Sequence, residues 1–316
     1  MTILIATRAS ELALFQARQV QSALAERGIE SELKTYKTVG DKRLDQPLSQ
    51  IGAKGLFTKE LEDDLAAGRV HCCVHSLKDL PTEMPAGLAL VALLPREDSR
   101  DVLLVNASVG VKSLAELPPG TRVGTSSLRR RAQLMAKRRD LEVVELRGNV
   151  PTRVRKVDEG VVDAAILAAA GLHRLGMAAR IDQYLDAPEW LPAAGQGAIA
   201  IQIRADDDAM RALLSPLGDP ATLLDATAER AFLAALEGGC QVPIGAAVIR
   251  TNDRATLHGF IADVNGERVI RGEIAIDEDA PTRCGATLAD SLRERGAGDV
   301  LGGLHRPLLI PAPQPE

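Results

Sequence analysis

Short apolar runs alternate with apolar stripes at helical spacing through the first two thirds of this 316-residue chain. TILIA has a strand pattern, and Ala13, Ala17, Val20 and Leu24 after it form one face of a helix. ELKTYKTV predicts a second strand and residues 58–67 a second helix, stopped at Gly68. VHCCVHS, LALVALL and DVLLV predict further strands, so this part reads as a strand-rich α/β unit. Beyond the turn PREDSRD the alternation repeats: TRVG into SSLRRRAQLMAKR, LEVVELRG into VPTRVRKVDEG, then DAAILAAAG. Pro151 suits the first turn of its helix. AAGQGAIAIQIR contains a strand expected to return to the first unit. From about Pro220 the pattern changes to a long helix, a cysteine-bearing loop, three strand-like segments and an amphipathic helix near residues 282–295.

A single core stops growing near ~250 residues, so a chain of this length is expected to divide. The pattern suggests residues 1–97 with 198–216 as one domain, 98–197 as a second and 217–316 as a third. Between Gly40 and Gly55, GDKRLDQPLSQIGAKG has three glycines, one proline and no period. Such a stretch is either a lid or binding loop or a solvated connection.

Hydrophobic residues make up 46% of the chain and charged residues 26%. No apolar run approaches the ~20 residues that span a bilayer, and MTILIATRAS lacks the features of a secretory leader, so a cytoplasmic location without membrane contact is expected. Cysteines 72, 73, 240 and 284 form neither a disulfide framework nor a C-x-x-C pair, which predicts reduced thiols. His71 and His75 would lie roughly 13 Å apart along a strand, too far to share a metal ion, so no metal site is read. The formal charge of −5 is uneven: residues 122–156 hold eleven Arg or Lys against three acids. A basic island in an acidic chain with 2% aromatic residues suits a small anionic ligand better than nucleic acid.

Within that island GTSSLRRR carries a strand end through a glycine and three hydroxyl residues into a helix. The unpaired N–H groups and positive dipole end at Ser126 and Ser127 suit a carboxylate or phosphate, and Arg129 and Arg130 add forked donors. Thr7, Arg8 and Ser10 repeat the arrangement after the first strand, and Arg147 and Gly148 follow another. Open α/β sheets bind ligands outside the carboxyl ends of their strands, so these groups are expected to share a cleft. Any one of these arginines alone reads better as a solvated surface charge.

HSLKDLP places Lys78 and Asp79 just past the strand VHCCV. An ionised carboxylate there can orient N–H donors and stabilise a developing cation, with Lys78 adding charge for an anion. A helix-capping Asp beside an exposed Lys fits the same spacing. Cys240, in GGCQVPIG, follows two glycines that permit unusual backbone angles and would expose its sulfur, although burial is the commoner fate of a free thiol. Cys72, Cys73 and Cys284 sit in apolar or helical patterns and read as structural.

Eight segments in order, ATRAS, GAKGLFTKELE, HSLKDLP, GTSSLRRR, LRGNVPTR, DAAILAAAGLHRLG, PAAGQGA and EGGCQVPIG, closely resemble the porphobilinogen deaminases, also called hydroxymethylbilane synthases. The resemblance covers nearly the whole chain. It implies an α/β fold of three domains, the first two periplasmic-binding-protein-like and the third a smaller α/β domain carrying the cofactor cysteine. It also implies a monomeric transferase of tetrapyrrole (haem and chlorophyll) biosynthesis. Such an enzyme deaminates porphobilinogen and joins four units head to tail into hydroxymethylbilane, releasing ammonia at each condensation.

The implied cofactor is a dipyrromethane made from the substrate and held to Cys240 by a thioether. By the same resemblance Asp79 contacts pyrrole nitrogens, assists departure of the amine and steadies the cationic azafulvene intermediate. Arg8, Ser10, Lys54, Lys78, Thr125, Ser127, Arg129, Arg130, Arg147, Arg153 and Arg174 bind acetate and propionate side chains, and Phe57 lies near the primer. Gly148 belongs with Arg147 in that set, and Gln196 lies in the cleft between domains. Gln50 stands where some members carry a lysine, which alters the electrostatics expected of the lid. Two other classes remain open on the residues alone: a small-anion-binding protein without catalysis, and a nucleic-acid binder built on SSLRRR. The overall acidity and scarce aromatics disfavour the second.

Overall fold

The computed structural model describes residues 2–38, 58–236, 242–251 and 254–302. In it β1 (Ile3–Arg8) is apolar on both faces, as a strand covered by helices on both sides must be. Ile3 and Ile5 join one core and Ala6 another. The chain then enters α1 (Glu11–Ala25), where the Ser10 hydroxyl accepts the Ala13 N–H at 3.4 Å as its cap. The predicted apolar stripe is the buried face of α1, joined by Gln16, whose Nε2 donates to Ser76 Oγ at 2.8 Å.

The first sheet runs β2 (Ser31–Tyr36), β1, β3 (Cys72–Ser76), β10 (Ile199–Arg204), β4 (Leu88–Leu93). β1 pairs parallel with β2 and β3, whereas β10 is antiparallel to both of its neighbours. The expected return of AAGQGAIAIQIR to the first unit is therefore β10. Alternation along β3 sends Cys72 into the core beneath α1, and Cys73 towards Leu61 and Leu65 of α2 (Lys59–Ala66). Burial pushes both thiols up, Cys72 to about 12, so neither is a ready nucleophile. Both histidines beside them are engaged: His71 Nδ1 accepts the Leu4 N–H at 2.8 Å, and His75 Nε2 meets Gln202 Oε1 at 3.1 Å. Burial lowers His75 to about 4 and keeps it neutral.

The second sheet runs β7 (Glu142–Val144), β6 (Arg122–Gly124), β8 (Ala164–Ala168), β5 (Asp101–Val105), β9 (Gln183–Leu185). Its helices α3 (Leu128–Lys137), α4 (Val150–Asp158) and α5 (Ala169–Arg174) follow β6, β7 and β8. Counted within each lobe, both sheets have one order: second strand, first, third, the strand that follows a crossing between lobes, and fourth. Two α/β lobes of the same topology, exchanging the chain twice, form a periplasmic-binding-protein-like pair.

The crossings lie side by side. Glu97 donates its N–H to Gly197 O at 3.2 Å, and Gly197 has φ +91° with no room for a Cβ, which would stand 2.3 Å from Glu97 O. Beyond β10, α6 (Asp208–Leu214) closes the first lobe and α7 (Pro220–Ala235) opens the third unit. There β11 (Ile244–Thr251), β12 (Arg254–Ala262) and β13 (Val269–Ala275) form an antiparallel sheet, with α7 and α8 (Pro281–Leu292) packed around Phe232, Leu257 and Leu288. Fully buried Glu229 of α7 ties this unit to the first crossing. It takes both terminal nitrogens of Arg96 at 2.7 and 2.9 Å, and the N–H groups of Gly195 and Val248 at 2.8 and 3.0 Å.

Candidate active site

Carboxyl ends of the parallel strands in both lobes deliver polar residues to the boundary between them. β1 ends on Arg8 and leads to Ser10; β3 leads into a 3-10 turn, Leu77–Asp79; β6 leads through Thr125 and Ser127 to α3; β7 leads through Arg147 and Gly148 to α4. The lobes meet close by: a Cβ added at Gly171 of α5 would stand 3.7 Å from Leu12 of α1.

The start of α3 is organised by its own hydroxyls. Ser127 Oγ caps it by accepting the Arg130 N–H at 3.4 Å, while Thr125 Oγ1 accepts the Ser127 N–H at 3.2 Å. Ser126 donates its hydroxyl to Leu146 O at 2.9 Å. The Ser127 N–H, expected from the sequence to face an anion, is thus engaged within its own turn. Gly148 has φ +120°, with Thr152 at 2.9 Å from where a Cβ would be, and its carbonyl accepts Arg153 Nε at 2.7 Å.

Arg129 and Arg130 are almost fully buried and converge on one residue absent from the sequence reading, Asp101. Asp101 is the first residue of β5 and is itself fully buried. Its Oδ2 accepts Arg129 Nη1 at 2.6 Å and Trp190 Nε1 at 2.9 Å. Its Oδ1 accepts Arg130 Nη2 at 2.7 Å, Gln196 Nε2 at 2.8 Å and Arg129 Nη2 at 3.3 Å. Burial alone would raise Asp101, but the two guanidiniums outweigh it and hold the carboxyl well below the usual carboxylate range. Gln196 carries the network across the lobes, its Oε1 accepting Lys78 Nζ at 3.2 Å.

Lys78 and Asp79 lie on that turn, each half-buried. The turn's N-cap is Ser76 and Asp79 is its last residue, so the helix-capping alternative fails. Burial pushes Lys78 down to about 8; Arg130 and Arg129 push the same way, while Asp79 and Asp101 oppose them. Burial likewise brings Arg153 down to about 10, with Arg130 adding to the effect and Asp79 and Glu145 opposing it. Glu145, also missed in the sequence, is raised by burial against the pull of Arg147 and Arg153, and its Oε1 is buried without a partner. Arg130 Nε is buried without a partner as well.

Lys78, Asp79, Arg129, Arg130, Arg147, Arg153 and Gln196 thus belong to one electrostatic cluster. Arg174 stands at the crossings, where its Nη2 donates to Gly197 O at 2.7 Å, and burial lowers its pKa. Lys54, Phe57 and Cys240, with the segment around Gln50, lie outside the described residues. Asp101 had one signal in the sequence, a charge heading the wholly apolar run DVLLV. A charge on a strand buried along its length must be paired.

The partnerless Arg130 Nε, the carboxylates of Asp79 and Glu145 and an excess of cations fit a ligand that bears both carboxylates and N–H groups. A dipyrromethane has both. Two α/β lobes of one strand order, with basic and acidic side chains gathered where they meet, define the fold class of the chain. Residues 3–212 match the family described as porphobilinogen deaminase, dipyromethane cofactor binding domain, and residues 223–294 match porphobilinogen deaminase, C-terminal domain. A porphobilinogen deaminase of Syntrophobacter fumaroxidans is 46% identical over 306 residues, covering 96% of this chain and 98% of that one. Another, of Geobacter sulfurreducens, is 47% identical over 304 residues, covering 96% and 94%. Among solved structures, the methionine-binding protein MetQ is 14% identical with a TM-score of 0.43, covering 75% of this chain and 94% of that one. The chain belongs to the porphobilinogen deaminase family.

Proposed function

We propose that this cleft deaminates porphobilinogen and condenses four units head to tail into hydroxymethylbilane, releasing ammonia at each step, in tetrapyrrole biosynthesis. The observation that carries the reading is Asp79, a carboxylate at a strand end with no described donor on it, set among Lys78 and Arg153. When bound through Cys240, the dipyrromethane supplies the primer to which units are added.

The chain's own residues do the rest. Lys78, Arg130, Arg147 and Arg153 hold acetate and propionate groups by charge-assisted hydrogen bonds. Arg8, Ser10, Lys54, Thr125, Ser127, Arg129, Gly148, Arg174 and Gln196 complete the lining, with Phe57 beside the primer. Asp79 accepts the pyrrole N–H of the substrate and stabilises the positive charge that grows as ammonia leaves. A carboxylate already fixed in a partly dehydrated cleft needs no reorganisation as that charge appears, which is why electrostatic stabilisation is effective here.

We assign residues 1–97 with 198–216, 98–197 and 217–316 as the three domains, a division supported by the membership of the three sheets. We extend the reading to a cytoplasmic monomer that binds no nucleic acid and no membrane. An aromatic content of 2% supports it against single-strand binding. No described helix is long and apolar enough to cross a membrane. Incubation of the purified protein with porphobilinogen tests the reading. Four substrates consumed and four ammonia released per hydroxymethylbilane is the expected result; folded protein that returns porphobilinogen unchanged overturns it.

A further inference from the structure

A buried carboxylate that needed only a counter-charge would be satisfied by one forked guanidinium. Asp101 instead has two, and neither makes an isolated pair with it. Arg129 Nη1 also donates to Leu191 O at 2.7 Å, and Arg130 Nη1 donates to Ile166 O at 3.0 Å. Each guanidinium plane is therefore fixed at two points, with the Nε of Arg130 left unpartnered. Two cations against one anion leave the unit with a net positive charge for a ligand.

The Gln196 amide is oriented by the same residue. Its Nε2 donates to Asp101 and to Ser99 O, the latter at 2.7 Å, which turns Oε1 to Lys78. We propose that Asp101 is a positioning residue of the active site: its carboxylate fixes Arg129 and Arg130 as one receptor for acidic side chains and, through Gln196, ties that receptor to Lys78 on the other lobe. The inference rests on the functional reading above and adds to it a residue that touches no substrate.

The test separates this role from a merely structural one. Asp101→Asn keeps the shape and removes the charge. Charged groups facing Lys78 are Asp79 from its own turn, Arg129 and Arg130 from α3, and Asp101 from β5. Loss of the Asp101 charge leaves both guanidiniums uncompensated and makes Lys78 easier to deprotonate. The alkaline limb of kcat/KM for porphobilinogen then moves about one pH unit towards neutrality. The fraction of chain carrying a dipyrromethane, read by intact mass, falls alongside it. Simple loss of folded protein would lower activity equally at every pH and leave the limb where it was.

Lys78→Met is measured in parallel and should lose the limb. A limb retained in Lys78→Met overturns the site reading together with this inference; a limb lost there and unmoved in Asp101→Asn overturns the inference alone. Should Asp101→Asn fail to fold, Gln196→Met leaves the ion pairs intact and cuts the tie to Lys78. KM for porphobilinogen then rises several-fold with kcat kept, and an unchanged KM overturns the proposal.

Discussion

Arg129→Met should cost stability before it costs anything else. The substitution keeps much of the side-chain volume but removes one of two cations from a carboxylate that is fully buried. Breaking a buried pair from one side typically costs about 3–5 kcal/mol, because the remaining charge loses its compensation. Asp101 would still accept from Arg130, Trp190 and Gln196, and Leu191 O would keep the Gln133 Nε2 donor at 2.9 Å. The loss therefore falls at the lower end, about 3 kcal/mol, or roughly 6–12 °C in midpoint for a cooperative unit of this size. Trp190 is the chain's single tryptophan, is buried in the second lobe and donates to Asp101, so its emission follows unfolding at the relevant place. The sign of the pH dependence follows from the lowered Asp101 pKa. Its contribution is complete above the ordinary carboxyl pKa near ~4 and is lost as pH falls below it, so the difference from wild type must shrink in acid. Equal midpoints at neutral pH, or a difference undiminished in acid, would refute the reasoning.

Asp79→Ala should leave the unfolding midpoint nearly unchanged, since no described donor loses a partner, while kcat falls by about 10²–10³. Steady-state turnover on folded protein checks this, and normal turnover removes Asp79 from the chemistry. In the protein freed of its cofactor, carboxylate binding by Lys78 should weaken as pH rises through about 8, because its protonated form is lost there. Titration calorimetry across that range with a pyrrole acetate–propionate that lacks the aminomethyl leaving group measures it, and pH-independent affinity contradicts it. Gly197→Ala should destabilise by more than about 1 kcal/mol, since φ +91° and the Glu97 carbonyl both exclude a Cβ. Denaturant melts of the two proteins that coincide would reject that account of the crossing.

Much of the fold was legible because its signals are local. The stripe on α1, the short runs that became β3, β4 and β5, and the stop at Gly68 need no knowledge of partners. The repeat of strand then basic or hydroxyl turn also picked out groups that the two sheets bring to the boundary between the lobes, since topology brings strand ends together. What escaped depends on residues far apart in the chain. Asp101 meets Arg129 from 28 positions away and Gln196 from 95, and PREDSRD looks like any solvated turn. The arginines read as open donors are thus partly engaged by the protein itself. Asp79 was ambiguous for a related reason: only its place at the end of a 3-10 turn whose N-cap is Ser76, visible in three dimensions, distinguishes it from a helix cap.

The central claim is that this chain builds its product on a primer held by Cys240, and intact mass spectrometry of the purified protein tests it most directly. Wild-type protein should weigh more than its polypeptide by one dipyrromethane, and Cys240→Ser protein should weigh its polypeptide alone and be inactive. A fully active wild-type chain at unmodified mass, or an adduct retained in Cys240→Ser, would contradict the account.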